Sequence, residues 1–238
     1  MITLPPALLI DLDDTILDTT PSADRNWLNT AQRARDAGIP IDPTHFTQHM
    51  DDVRDWFWSD PQRSLIGRLN LEQARADMIT ETLVRMEYPN DIPTLAEQLQ
   101  KDFTANRIPV MQPLDGAMTA LAEFKNRNIK TALLTNGMAA TQRAKVIHFE
   151  LEQYFDKIYI EGEIGIGKPE PKLFHRVLSE LDVTPDQAWM IGDSLAWEVA
   201  APQQLGIKGV WLDWRRQGLP AESDIIPDLI IHSLADLI

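Results

Sequence analysis

Asp11-Leu12-Asp13-Asp14-Thr15 sets two carboxylates two residues apart, just past the apolar run Ala7-Leu8-Leu9-Ile10. An ordinary aspartate has a pKa of about 3.9 and is ionised at neutral pH. Asp11 therefore needs no base to make it a nucleophile toward phosphorus. What it needs is relief from repulsion by an anionic phosphate. A hard divalent cation held by carboxylates supplies that relief and polarises the phosphoryl oxygens, and Asp193 offers a further hard oxygen ligand. Lys168 brings a fixed positive charge for the charge that spreads in the transition state. Thr135 can donate its hydroxyl, and the amides of Asn136 and Gly137, which lead into a helix, can donate as well. Asp13 is left to act as acid and base, giving a proton to the leaving oxygen and later taking one from water. Different roles for two nearby carboxylates are expected when their environments differ.

These residues need a scaffold that brings them together. Ala7–Ile10 is short, unbroken and apolar, which suits a buried parallel strand. From about Thr19 to Arg107 the spacing is helical: Trp27, Ala31 and Ala34 can share one face, as can Ala74, Met78, Leu83 and Met86 near helical intervals. Glu97 and Lys101 are four apart in the favourable order. No strand is expected there, and the stretch reads as a helical insertion. After Pro113 an alternation begins. Helices are expected over 115–128, 139–149 and 171–181, with strands over 131–135, 157–160 and 188–191. A helix to about Leu205 and strands over 210–212 and 229–231 follow. Thr184 and Gln187 have capping-box spacing. Strands alternating with helices predict an α/β fold, a parallel sheet with helices on both faces. Ligands of such sheets bind beyond the carboxyl ends of the strands, where Asp11, Asp13, Thr135, Asn136 and Asp193 all fall, with Lys168 in the loop after the third strand. The expected division is a core of 1–18 and 108–238 and a helical domain of 19–107.

Bulk properties narrow the partners. The 238 residues carry 22 Lys and Arg against 36 Asp and Glu, a net charge of −14. Such a chain repels nucleic-acid backbones, and any anion site must bring its own positive charge. There are no cysteines, which excludes disulfides, thiolate nucleophiles and thiolate metal sites. The opening Met1-Ile2-Thr3-Leu4-Pro5-Pro6 has no basic stretch, and no apolar run is long enough to span a membrane. A cytoplasmic protein, acting as monomer or homodimer on a small phosphorylated metabolite, is expected.

Together, Asp11-x-Asp13-x-Thr15, Thr135-Asn136-Gly137, Lys168-Pro169 and Gly192-Asp193-Ser194 resemble the four ordered motifs of the haloacid dehalogenase-like hydrolase superfamily. Singly each is common; four in order, in matching context from Leu8 to Leu205, are specific. The resemblance implies a Rossmann-like core, a helical cap inserted after the first motif, and Mg²⁺ held by the Asp11 carboxylate, the Asp13 backbone carbonyl and Asp193. Thr15, Ser194 and Glu198 are expected to support these residues from behind. Glu198 stands where the fourth motif often has a second aspartate, and its longer carboxylate has two options: the metal through water, or a pair with Lys168. Relatives that cleave carbon–halogen bonds usually lack an aspartate at the Asp13 position, because a halide leaves without a proton. Asp13 therefore implies phosphate-ester hydrolysis rather than 2-haloacid dehalogenation. The Thr-Asn-Gly form resembles nucleotide and N-acylneuraminate phosphatases, and phosphoglycolate phosphatases are similar in layout.

Rival readings attach to three places. Gly162 to Lys168 fits the start of a P-loop, but Pro169 stands where a Ser or Thr must bind Mg²⁺. His45 and His49, beside Asp51 and Asp52, have helical metal-ligand spacing, yet surface histidines are the favoured reading. Asp55-Trp56-Phe57-Trp58 reads first as cap core, with a substrate-facing lid including Arg54 as the alternative. At the level of the whole chain, the rival to an enzyme is a non-catalytic phosphometabolite-binding protein on the same scaffold.

Overall fold

A computed structural model describes residues 2–60, 62–63, 67 and 70–238. The chain forms two compact units, one of Met1–Thr19 with Gln112–Ile238 and one of Thr20–Met111.

The first unit is built on six strands: β1 (Ala7–Ile10), β2 (Lys130–Thr135), β3 (Lys157–Ile160), β4 (Ala188–Gly192), β5 (Lys208–Leu212) and β6 (Leu229–Ile231). Their spatial order is β3-β2-β1-β4-β5-β6, and every pairing is parallel. Ala7 lies opposite both Lys130 and Ala188. All four residues of β1 are fully buried, and alternate ones serve opposite faces because strand side chains have a period of two. Leu8 and Ile10 join a cluster with Leu121, Phe124 and Val146, from helices over Ala117–Asn126 and Ala139–His148. Ala7 and Leu9 join another with Leu173, Phe174 and Val177, from the helix Pro171–Leu181. This is why a strand buried on both faces reads as an unbroken apolar run. Strand order reverses direction at β1, the place where open parallel sheets form a ligand crevice.

The second unit is helical, comprising α1 (Thr19–Asp36), α2 (Pro43–Ser59), α3 (Leu71–Arg85) and α4 (Ile92–Asn106). No strand occurs among its described residues. Its punctuation is explicit: Asp42, Asn70 and Asp91 cap the last three helices by accepting from the amides of His45, Gln73 and Thr94, and Pro43 and Pro93 fit the first turn, where an amide proton has no partner to lose. The unit has its own core, in which Trp27 stacks on Phe103 with ring centroids 3.7 Å apart. Trp27, Ala31, Ala34, Ala74, Met78 and Leu83 are buried as their spacing predicts, while Met86 packs at the margin. Glu97 and Lys101 pair at 2.5 Å on the exposed surface, where solvent screens the attraction.

We label the core helices α5 (Ala117–Asn126), α6 (Ala139–His148), α7 (Glu161–Ile164) and α8 (Pro171–Leu181). The four-residue α7 was not expected. The segment after Asp193 also departs from the expected helix: Leu195–Ala200 winds as a wide π-helix and only Ala201–Gln203 is α-helical. Wide turns of this kind recur at functional sites, and this one carries Glu198.

Candidate active site

β1 ends at Ile10, and the amide of the next residue, Asp11, donates to the carbonyl of Ile191 at 3.0 Å, extending the pairing with β4 by one residue. The chain then makes a tight flap. Asp14 adopts a left-handed conformation (φ 55°), which aspartate tolerates better than most residues, and its amide donates to Leu17 at 2.7 Å. Asp18 closes the flap, accepting from the Gln112 amide at 2.7 Å while its own amide donates to Gln112 at 2.9 Å.

Asp11 is 6% exposed and both carboxylate oxygens are engaged. Lys168 Nζ lies 2.5 Å from Oδ1, and the Thr15 hydroxyl donates to Oδ2 at 3.2 Å. Lys168 is itself 4% exposed and also reaches Glu198, with 2.7 Å from Nζ to Oε1. Glu198 thus takes the second of its two sequence options, pairing with Lys168, and its other oxygen accepts the Ser194 amide at 2.8 Å. Gly192 makes room for this: a Cβ there would stand 2.2 Å from Cγ of Glu198.

Lys168 is held by its backbone as well. Asn136 forms a reciprocal pair with it, Nδ2 donating to the Lys168 carbonyl at 2.6 Å and Oδ1 accepting the Lys168 amide at 2.8 Å. In this structure the Asn136 carboxamide serves as a clamp between two loops, and the Gly137 amide donates to the Glu161 carboxylate at 2.9 Å. Gly162 also donates to the Gly137 carbonyl at 3.0 Å, so α7 braces the loop after β2. The buried pairing of Lys168 with two carboxylates, like Pro169 beside it, leaves no P-loop.

One ammonium serving two carboxylates leaves the cluster short of positive charge. Burial pushes the Asp11 carboxyl up to about 7 against the pull of Lys168, with Glu198 and Asp13 adding to the rise. Burial, then Asp11, Glu198 and Asp14, push Asp193 up to about 8, with Lys168 opposing. Burial alone would lower Lys168, but Asp11 and Glu198 outweigh it and hold the ammonium above the usual lysine range. A buried group of hard oxygens, too anionic for its single lysine, is the donor chemistry that suits a divalent cation. No three His, Asp or Glu side chains form a ready cage among the described residues. Two carboxylates and one backbone carbonyl are the kind of hard-oxygen set that Mg²⁺ takes, since it keeps several of its own waters. The Asp193 carbonyl is anchored by Trp211 Nε1 at 2.8 Å, and Ser194 Oγ accepts from the Trp197 amide at 3.4 Å.

Asp13 has different surroundings. Its side chain is about one-third exposed, and it faces α6 rather than Lys168. Lys145 Nζ is 2.6 Å from Oδ1, and Gln142 Nε2 donates to Oδ2 at 2.9 Å. The same Gln142 nitrogen lies 2.5 Å from the Thr135 hydroxyl. Gln142 and Lys145 were missed by the sequence reading. The available signal was two polar residues three apart on α6, one helical face, next to the buried Val146.

The remaining candidates lie in the helical unit. His45 and His49 pack edge to face with ring centroids 4.3 Å apart, and a His49 ring nitrogen meets the His45 carbonyl. Phe57 is buried, Trp58 half-buried and Trp56 exposed. Arg63 sits 3.9 Å over the Trp56 ring, beside a cavity of about 410 Å³ that both aromatic residues 56 and 57 line. Arg54 pairs with Asp24 and, at 3.4 Å, with Asp51.

The sheet order and the ordered acidic, Thr-Asn-Gly, Lys-Pro and Gly-Asp elements define a class of protein. The profile of the haloacid dehalogenase-like hydrolases matches residues 5–206, and the chain belongs to that family. Phosphoserine phosphatase of Thermus thermophilus is 32% identical over 183 residues, covering 76% of this chain. That match spans just under two thirds, 65%, of the Thermus protein's length. Glyceraldehyde 3-phosphate phosphatase of Pyrococcus furiosus is 25% identical, with 97% of this chain and 90% of that protein covered. Among solved structures, the family hydrolase YfnB of Bacillus subtilis, bound to magnesium, superposes with a TM-score of 0.72 at 24% identity, covering 99% and 97% of the two chains. No helix among the described residues is long and apolar enough to cross a membrane.

Proposed function

We propose that this chain is a Mg²⁺-dependent phosphomonoesterase of the cytoplasm that hydrolyses a small soluble phosphate ester through an aspartyl phosphate on Asp11. The observation that carries this reading is the contrast between two carboxylates two residues apart. Asp11 is buried against Lys168, while Asp13 is more open and tied to a different helix. Groups separated in this way can divide the labour of nucleophile and acid–base catalyst.

The Asp11 and Asp193 carboxylates and the Asp13 backbone carbonyl would hold the cation, which when bound neutralises and polarises the phosphoryl oxygens. Thr15 and Lys168 fix the Asp11 carboxylate so that its attack needs little reorganisation. As the ester P–O bond breaks, Asp13 gives its proton to the departing oxygen. Asp13, now a carboxylate, then takes a proton from the water that attacks the phosphorus of the aspartyl phosphate, and Asp11 is restored. Lys168 balances the charge carried on the transferring group in both steps. The Thr135 hydroxyl and the amides of Asn136 and Gly137 are the proposed phosphate donors, with the Gly137 amide exchanging Glu161 for the substrate. The relatives named as phosphatases of phosphoserine and glyceraldehyde 3-phosphate support a small phosphomonoester, and nucleotides, sugar phosphates and phosphoglycolate complete the class.

The test is phosphate release from a panel of these esters by wild type and Asp11→Asn, with Mg²⁺ and with chelator. The reading expects turnover that needs the metal and vanishes in the variant. Beryllofluoride should bind the wild type only with Mg²⁺, as a mimic of the phosphorylated aspartate. Metal-dependent beryllofluoride binding without turnover of any ester would favour the phosphometabolite-binding alternative.

A further inference from the structure

We propose that Lys145 and Gln142 are positioning residues for Asp13, setting its carboxyl group for both proton transfers. The inference rests on Asp13 being the acid–base group and goes beyond it by assigning work to α6. Lysine is almost never fully buried unless it is paired, yet Lys145 is 2% exposed with its ammonium 2.6 Å from Asp13 Oδ1. Gln142 is 3% exposed, and its amide nitrogen reaches Asp13 Oδ2 at 2.9 Å and the Thr135 hydroxyl at 2.5 Å. The two hydrogens of one carboxamide therefore tie the acid–base residue to the threonine at the end of β2. The residues are three apart and share a helix face, whereas Arg143 between them turns outward to Glu163. Both Asp13 oxygens are engaged by α6, which restricts rotation of a side chain that is otherwise partly open to solvent.

The proton count follows from the proposed reaction. Asp13 releases its proton to the leaving oxygen and becomes a carboxylate, with Lys145 as its counter-charge. It later accepts a proton from the attacking water and returns to the acid. Lys145 keeps its own protons throughout. A residue that acts only through Asp13 should matter in proportion to the leaving group's need for a proton, which a merely structural residue would not do.

The experiment measures KM and the single-turnover rate of phenol release, the step that forms the aspartyl phosphate, for substituted phenyl phosphates from 4-nitrophenyl to 4-methoxyphenyl, with wild type, Asp13→Asn, Lys145→Met, Lys145→Arg and Gln142→Leu. For Lys145→Met, that rate should fall about threefold on the nitro ester and about 30-fold or more on the methoxy ester, a part of the 10²–10⁴-fold range of general acid catalysis. KM should stay within about twofold, Gln142→Leu should show the same trend more weakly, and Lys145→Arg should recover most of the loss, because misplacement of a catalytic group rather than loss of substrate contact is at issue. A uniform loss across the series for Lys145→Met, with a steep dependence for Asp13→Asn, would overturn the inference and leave the acid–base role of Asp13 standing. A flat series for Asp13→Asn would instead overturn that role, and this inference with it. Melting curves of each variant separate these outcomes from failure to fold.

Discussion

Lys168→Met removes the one cation between two buried carboxylates and leaves a side chain of similar length. Lys168 Nζ is 2.5 Å from Asp11 and 2.7 Å from Glu198, and breaking a buried pair from one side costs about 3–5 kcal/mol because the remaining charge is stranded. Set against a total stability of about 5–15 kcal/mol, that is a large fraction. Glu198→Gln keeps the shape and removes one of the stranded charges. In Lys168→Met/Glu198→Gln the amide can still accept from Ser194, and only Asp11 remains to take up a proton. The double variant should therefore be less destabilised than the sum of the single ones, by about 2 kcal/mol, within the 0.5–3 kcal/mol seen for residues in contact. Urea unfolding at pH 8 in chelator, on all four proteins, measures this directly. The single Lys168→Met variant should also recover as pH falls, since the carboxylates escape by protonation. Simple additivity, or a Lys168→Met protein within about 1 kcal/mol of wild type, would refute the picture of one lysine balancing two buried carboxylates.

Other expectations follow from the same cluster. Without metal, Asp11 and Asp193 titrate in the folded protein at about 7 and about 8, well above an unfolded value of about 3.9. Between these limits the folded state binds more protons, so stability falls as pH rises from about 4 to about 8 and levels off above. Saturating Mg²⁺ should flatten that decline, and melting temperatures that rise between pH 6 and 8.5 in chelator would count against the shifts. Gly192→Ala would place a Cβ 2.2 Å from Glu198 Cγ; this overpacking should cost about 1–3 kcal/mol by urea unfolding, and a neutral result would mean that Glu198 can move aside freely.

The parts of this molecule legible in its sequence are those fixed by local pattern. β3 and α8 fall on their expected limits, over Lys157–Ile160 and Pro171–Leu181, because a continuous apolar run and a proline-started amphipathic turn leave little choice of register. Asp11, Lys168 and Glu198 converge because parallel strands end on one side of the sheet. Partners set by tertiary packing were harder to see. Nothing local distinguishes Lys145, which is buried on Asp13, from Lys125, whose side chain reaches an exposed carbonyl of Gln153. Asn136 could have offered its carboxamide to a substrate or to a neighbouring loop, and only the closeness of the Lys168 backbone decides for the loop in this structure. The wide winding at Leu195–Ala200 was equally hidden, since helical spacing cannot separate a π turn from an α turn over six residues.

The central claim is that the phosphoryl group passes through Asp11. Rapid acid quench of wild type during turnover with Mg²⁺, followed by peptide mass spectrometry, tests it most directly. The account predicts a single phosphoryl group on the peptide carrying Asp11, absent in chelator and absent in Asp11→Asn. A phosphoryl group found on another residue, or steady turnover by Asp11→Asn, would contradict it.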